Sequence, residues 1–237
     1  MVTTLALAQE QYLFEKYPEI KYAGHKDWRI YRKADRTHFT LTIPDFFSNT
    51  DTLTIQLTSF DINWDSSYIR IFRNSDQIQK IFEPMFFTDM NVPYDSIRAM
   101  DVDGNGLTDI KLLVPYMGNG LASLNQRVIY LFQRTDGLFH KVSYLDKMAA
   151  HIIERDFDGD NTFEILTMTL KGHELHNYWT YNIYHFINGD LINQNDRFGY
   201  PIMIQYLFRT NRKVTDKISP DNMKMFGDTQ PEYYSKE

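Results

Sequence analysis

Asp101-Val102-Asp103-Gly104-Asn105-Gly106-Leu107-Thr108-Asp109, followed by the apolar run Ile110 to Val114, has a near copy later in the chain. The copy is Asp156-Phe157-Asp158-Gly159-Asp160-Asn161-Thr162-Phe163-Glu164, followed by Ile165 to Leu170. Both segments set side-chain oxygens at positions one, three, five and nine of a turn. Oxygen donors gathered on a tight turn suit a hard cation, and calcium, which takes six to eight oxygens in a flexible shell, is the first choice. Gly104 and Gly106 supply the backbone freedom that a short chain needs to curl around an ion. Asn161 stands where Gly106 stood and is among the residues that best tolerate the left-handed region.

The expected ligands in the first loop are Asp101, Asp103, Asn105, the Leu107 carbonyl and Asp109. In the second they are Asp156, Asp158, Asp160, the Thr162 carbonyl and Glu164. An EF-hand is excluded, because that loop closes with a glutamate at position twelve between two helices. Position twelve here is Leu112 in one loop and Thr167 in the other, and strand-like sequence follows. Clustered carboxylates repel when no cation is present, so an ion is expected to order both loops. The second loop, with four carboxylates to the first loop's three, is expected to bind more strongly at equal rigidity.

A second repeat runs beside the loops. Tyr68 to Ile78, Val128 to Phe139 and Tyr181 to Ile192 each read as strand, turn, strand. Asp136-Gly137 and Asn188-Gly189 are strong hairpin turns. Phe72, Phe132 and Phe186 align, so a hairpin-plus-loop unit recurs about every 55–60 residues, the signature of a repeated β unit. Trp28 to Tyr31, His38 to Ile43 and Thr52 to Leu57 read as further strands, and Tyr200 to Leu207 as the last one. Glu10 to Lys16 reads as a short helix. A second one follows Ser219-Pro220-Asp221, with serine as cap and proline at the first helical position.

The composition fits a folded β protein. The 237 residues include 17 Phe, 16 Tyr and 3 Trp, enough aromatic bulk to fill a large core. The formal net charge of −6 argues against nucleic acid as a partner, since phosphate binding needs a basic face. With no cysteine there is no disulfide framework and no thiol chemistry. No apolar run reaches the ~18 residues that span a bilayer as a helix. Within residues 1–9, Ala6-Leu7-Ala8 resembles the small-residue end of a secretory signal, with cleavage expected before Gln9. Together with calcium sites suited to the millimolar ion outside the cytosol, this points to a periplasmic or secreted protein.

Asp-x-Asp-Gly-Asn-Gly-x-x-Asp-Ile, preceded by an Asp-Gly hairpin and followed by an apolar strand, resembles the FG-GAP and VCBS repeats of integrin-like β-propellers and bacterial surface proteins. The resemblance covers residues 66–192. It implies structural calcium at the acidic positions, two ions in all, and a small propeller-like array of antiparallel β units with short terminal helices. A full propeller of that type needs about seven blades and four is the usual minimum, so a β-sandwich carrying two calcium loops is the alternative. The whole chain, 1–237, is read as a single all-β domain.

The function expected on this basis is that of a non-enzymatic cell-envelope protein, an interaction or scaffold module for another protein or envelope component. A looser likeness to periplasmic inhibitors of lysozyme-like peptidoglycan hydrolases gives the first alternative, with Met117 to Asn125 as the loop that would enter an enzyme cleft. A hydrolase using His173 and His176 is the second. His173-Glu174-Leu175-His176 lacks the spacing of a zinc helix, which needs the two histidines four apart.

Overall fold

Each of the three hairpins forms where the turn residues placed it. The computed structural model describes residues 13–47, 50–60, 62, 66–83, 97–115, 119–205 and 214–237. Among the described residues there are three antiparallel sheets, with two short α-helices and no closed barrel. The first sheet is a meander of β2 (Arg29–Arg32), β3 (Arg36–Ile43), β4 (Leu53–Phe60), β5 (Tyr68–Arg73) and β6 (Asp76–Phe82). Its alternating sequence turns Phe39, Leu41, Leu53, Ile55, Leu57, Ile69 and Ile71 inward between polar neighbours.

The second sheet has the order β1-β7-β8-β9-β10-β15. Its strands are β1 (Ala23–His25), β7 (Ile97–Met100), β8 (Asp109–Pro115), β9 (Asn125–Gln133), β10 (Phe139–Lys147) and β15 (Glu232–Lys236). Strands β8, β9 and β10 are buried along nearly their whole length, charged Lys111, Arg127, Lys141 and Asp146 included. The first sheet covers one face through Ile110, Leu112, Ile129 and Leu131. The third covers the other through Leu113, Val128, Tyr130 and Phe132. The middle sheet therefore lies between the other two.

The third sheet holds β11 (Ile165–His173), β12 (His176–Ile187), β13 (Asp190–Asn193) and β14 (Ile202–Gln205). The long β12 pairs β14 along Tyr178–Tyr181 and β13 along Tyr184–Ile187. The rings of Phe132 and Phe186, aligned by the repeat, stack across the sheet interface with centroids 3.6 Å apart. The outer face of the third sheet buries Met168, Tyr181 and Ile183 with Phe14 and Ile152. Helix α1 (Asn195–Phe198) follows β13, and α2 (Pro220–Met223) starts at Ser219, whose side chain accepts from Asn222 N–H as expected of the cap.

Two features differ from the sequence reading. The N-terminal helix is a 3-10 turn, Leu13–Lys16; residues 10–12 and the signal-like residues 1–9 lie outside the described residues. The strand expected at Tyr200–Leu207 is β14, but it is not the last. β15 adds itself to β10, and Glu237 and Lys141 exchange backbone hydrogen bonds of 2.8 and 2.9 Å. Its own sequence is too short and polar to announce a strand, and the open edge of β10 supplies the reason for one.

Buried charge ties the layers together. Glu83, after β6, accepts from Arg127 Nε (2.8 Å), Lys141 Nζ (3.0 Å) and Ser143 Oγ (2.7 Å) of the middle sheet. On that sheet's other side, Glu154 accepts from Lys111 Nζ at 2.5 Å, from Tyr22 Oη at 2.6 Å and from Tyr130 Oη. Burial alone would raise the Glu154 carboxyl, but Lys111 and these hydrogen bonds hold it below the ordinary value.

Candidate metal centre

The two acidic loops occupy the same place in successive sheets. The first joins β7 to β8, with Met100 paired to Asp109; the second joins Arg155 to β11, with Arg155 paired to Glu164. The N-terminal segment runs past both: Ala23 pairs Ala99 and Glu19 pairs Arg155.

Within the loops the hydrogen bonds repeat position by position. At position one, Asp101 accepts from Gly104 and Gly106 N–H, both at 2.8 Å. Asp156 accepts from Gly159 N–H at 2.6 Å and Asn161 N–H at 3.1 Å. At position nine, Asp109 Oδ2 accepts from Val102 N–H at 2.8 Å and Glu164 Oε2 from Phe157 N–H at 3.0 Å. At position five, Asn105 Oδ1 accepts from Leu107 N–H at 2.7 Å and Asp160 Oδ1 from Thr162 N–H at 2.8 Å. Gly106 and Asn161 take the left-handed conformation, φ 80° and 65°. A side chain was therefore tolerable there only if it was of the asparagine kind.

Carboxylate oxygens of Asp101, Asp103 and Asp109 come within 4.8 Å of one another, and so do those of Asp156, Asp158 and Glu164. Asp160 stands outside the second cluster, because its carboxylate also takes the Thr162 hydroxyl at 2.5 Å; that contact holds its pKa below the ordinary value. Asn105 turns its NH2 to Asp103 and to the Gln133 carbonyl, 3.2 and 2.8 Å away. Its oxygen serves the turn, as does that of Asp160. Leu107 and Thr162, half-buried, follow at position seven.

The loops diverge at the closing carboxylate. Asp109 Oδ1 receives Gln133 N–H at 2.8 Å. Glu164, one methylene longer, differs: the residue is 0% exposed, and among the described residues its Oε1 has no hydrogen-bond partner. The nearest base is His185, whose Nδ1 lies 3.9 Å away. Burial and then the neighbouring Asp103 push the Asp109 carboxyl up to about 8. Burial, with Asp158 beside it, pushes Glu164 to about 7. Both clusters thus hold a buried negative charge that a proton or a cation must offset.

Arg197, which the sequence gave no reason to single out, reaches across from α1 and pairs with Asp158. Among the described residues no lysine or arginine pairs with the first cluster. The first loop is therefore the one lacking an internal cation, and the simple count of carboxylates misses this difference.

The loops also touch. Phe163 N–H donates to Val102 O at 2.9 Å. A Cβ on Gly104 would lie 2.6 Å from Thr162 Cγ2. The buried Lys111–Glu154 pair, two residues after one loop and two before the other, joins their bases. Segments about 55 residues apart form one acidic ridge.

The other sequence candidates lie elsewhere. His173 and His176 face each other across the β11–β12 turn, whose Glu174 and Leu175 have φ of 45° and 63°. His176 bonds Gln205 and His173 packs edge-on to Phe226. A cleft of about 510 Å³, lined by Lys147, Thr169, Lys171, Asp228 and Glu232, includes neither histidine. Of the Met117–Asn125 loop, Gly120–Leu124 forms a 3-10 turn; Met117 and Gly118 lie outside the described residues. No described helix is long and apolar enough to cross a membrane. Compared with protein-family models, curated proteins and solved structures, the chain matches none.

Proposed function

We propose that the chain binds two calcium ions, one in each acidic loop, and that it serves as a non-enzymatic interaction or scaffold module of the cell envelope. The observation that carries this reading is Glu164 Oε1, a buried carboxylate oxygen without a partner beside Asp156 and Asp158. A native fold rarely leaves such an atom unpaired unless something is meant to meet it. Asp109, buried next to Asp101 and Asp103, states the same need in the first loop.

The donor set is all oxygen, which fits calcium better than a transition metal. Asp101, Asp103 and Asp109 would hold the ion in one loop, and Asp156, Asp158 and Glu164 in the other, with water and loop carbonyls completing each shell. Bound calcium supplies the positive charge that lets all these carboxylates ionise together. The chain does the remaining work. The backbone N–H groups aimed at Asp101 and Asp156 fix two carboxylates in advance, and the Phe163–Val102 hydrogen bond makes the order of one loop felt by the other. Sites of this type suit the high calcium outside the cytosol, which supports reading the protein as periplasmic or secreted.

Thermal melting followed by circular dichroism, with chelator and then with millimolar calcium, tests the proposal. Chelation should lower Tm, and Asp103→Ala and Asp158→Ala should remove most of that response. Identical melts with chelator and with calcium would refute it.

A further inference from the structure

The chain is acidic overall, yet one face of its first sheet is basic. Directly opposed residues of antiparallel strands share a face. The pairs Arg29–Thr40, Tyr31–His38, Gln56–Arg70 and Arg70–Lys80 therefore line one surface. It is the surface turned away from the buried Phe39, Leu57 and Ile69. Asp76, the one carboxylate within these five strands, opposes Arg73 instead. Asp35, in the β2–β3 turn, is paired with Arg36.

The cations on this face are fixed in place. Arg70 lies 5.0 Å and Lys80 4.3 Å from the Tyr68 ring centre, and Arg36 lies 5.2 Å from that of Phe60. The positive field registers on its neighbours. Burial alone would raise the Tyr68 phenol, but hydrogen bonds from Thr58 and Arg70, with the charges of Arg70 and Lys80, bring it below its ordinary value. His38 is lowered by burial, then by Arg70, Lys33 and Arg36.

The sheet ends at β2, whose four residues are all exposed, with Tyr31 at 61%. Lys33 N–H donates to Arg36 O at 2.8 Å and closes the turn. Alternation along the ladder then makes Ile30 and Arg32 the residues whose own N–H and C=O point off the sheet. Among the described residues nothing pairs with them. The far edge differs: Phe82 N–H on β6 is met by Glu237 at 3.1 Å.

We propose that β2 takes up an acidic, extended segment of a protein partner as an added strand. Its backbone would pair with Ile30 and Arg32, and its carboxylates would lie against Arg29 and Lys33, which share the basic face with Tyr31. Strand addition draws affinity from main-chain hydrogen bonds and specificity from alternate side chains. Arg36, Arg70 and Lys80 lie further in and steer the approach. A second copy of the chain is a poor occupant, since two Arg-Ile-Tyr-Arg-Lys edges would bring like charges together. Single-stranded nucleic acid needs open ring faces for its bases, and the Tyr68 and Phe60 rings are capped by the chain's own cations.

The test is fluorescence anisotropy on the full chain at low salt, using a labelled twelve-residue peptide of alternating glutamate and threonine. Binding should weaken by at least about tenfold, the equivalent of ~1.4 kcal/mol, in Arg29→Glu/Lys33→Glu. Arg70→Glu/Lys80→Glu should mainly slow association. Ile30→Pro removes an outward N–H and leaves the β2–β3 ladder intact, so it should abolish binding. The same peptide N-methylated at alternate residues keeps its charge and cannot pair, and its failure to bind makes the same point without altering the protein. The proposal is overturned if the glutamate peptide does not bind, if N-methylation has no effect, or if oligo(dT) or dextran sulfate binds more tightly than the peptide.

Discussion

Glu164→Gln should stabilise the protein without calcium and make it indifferent to calcium at the second loop. The side chain is fully buried, and its carboxyl is raised from 4.5 to about 7 by burial first and then by Asp158. At 1.36 kcal/mol per pH unit, ionising it inside the fold costs up to roughly 3 kcal/mol. For a chain of this size that corresponds to roughly 6–12 °C in Tm. The amide keeps the acceptor that Phe157 N–H uses at 3.0 Å. Its NH2 takes the place of Oε1, within 4.8 Å of Asp156 and Asp158 oxygens. The sign of the pH effect follows. A carboxyl whose pKa is higher folded than unfolded costs nothing below 4.5, where both states are protonated, and costs most above about 7. In chelator the variant should therefore melt well above the parent at pH 7.5 and only slightly above it at pH 5. In saturating calcium the order should reverse, because the parent gains a ligand that the variant lacks. Melts at the two pH values, with and without calcium, give all four numbers. A variant that melts below the parent in chelator at pH 7.5, or by the same margin at both pH values, would refute the reasoning.

Gly104→Ala should destabilise by about 1–3 kcal/mol, since φ is +74° and the new methyl meets Thr162 Cγ2; denaturant unfolding should show partial recovery when Thr162→Ser is added. Lys111→Met should cost about 3–5 kcal/mol by stranding Glu154 in the core, and the double variant Lys111→Met/Glu154→Leu should regain most of it. Arg197→Ala should tighten calcium binding at the second loop by less than about fivefold, the scale of a partly exposed ion pair. Calorimetric titration would expose the opposite sign directly.

Much of this architecture was legible from local chemistry. Asp-Gly and Asn-Gly turns fix hairpins because few residues accept positive φ, and alternation on β3 and β4 fixes which face is buried. Strand β15 and the Glu154 and Glu83 networks were not legible, because their partners come from distant segments and no local pattern records them.

The sequence by itself determined two acidic turns, the residues that line them and the β units that carry them, since each depends on interactions within a dozen residues. Only the tertiary structure decided that the turns lie against each other and that Arg197 serves one cluster and not the other. It also left one oxygen of Glu164 unpaired where Gln133 N–H satisfies Asp109. Those outcomes turn on how three sheets stack, and that depends on the shape of the whole core.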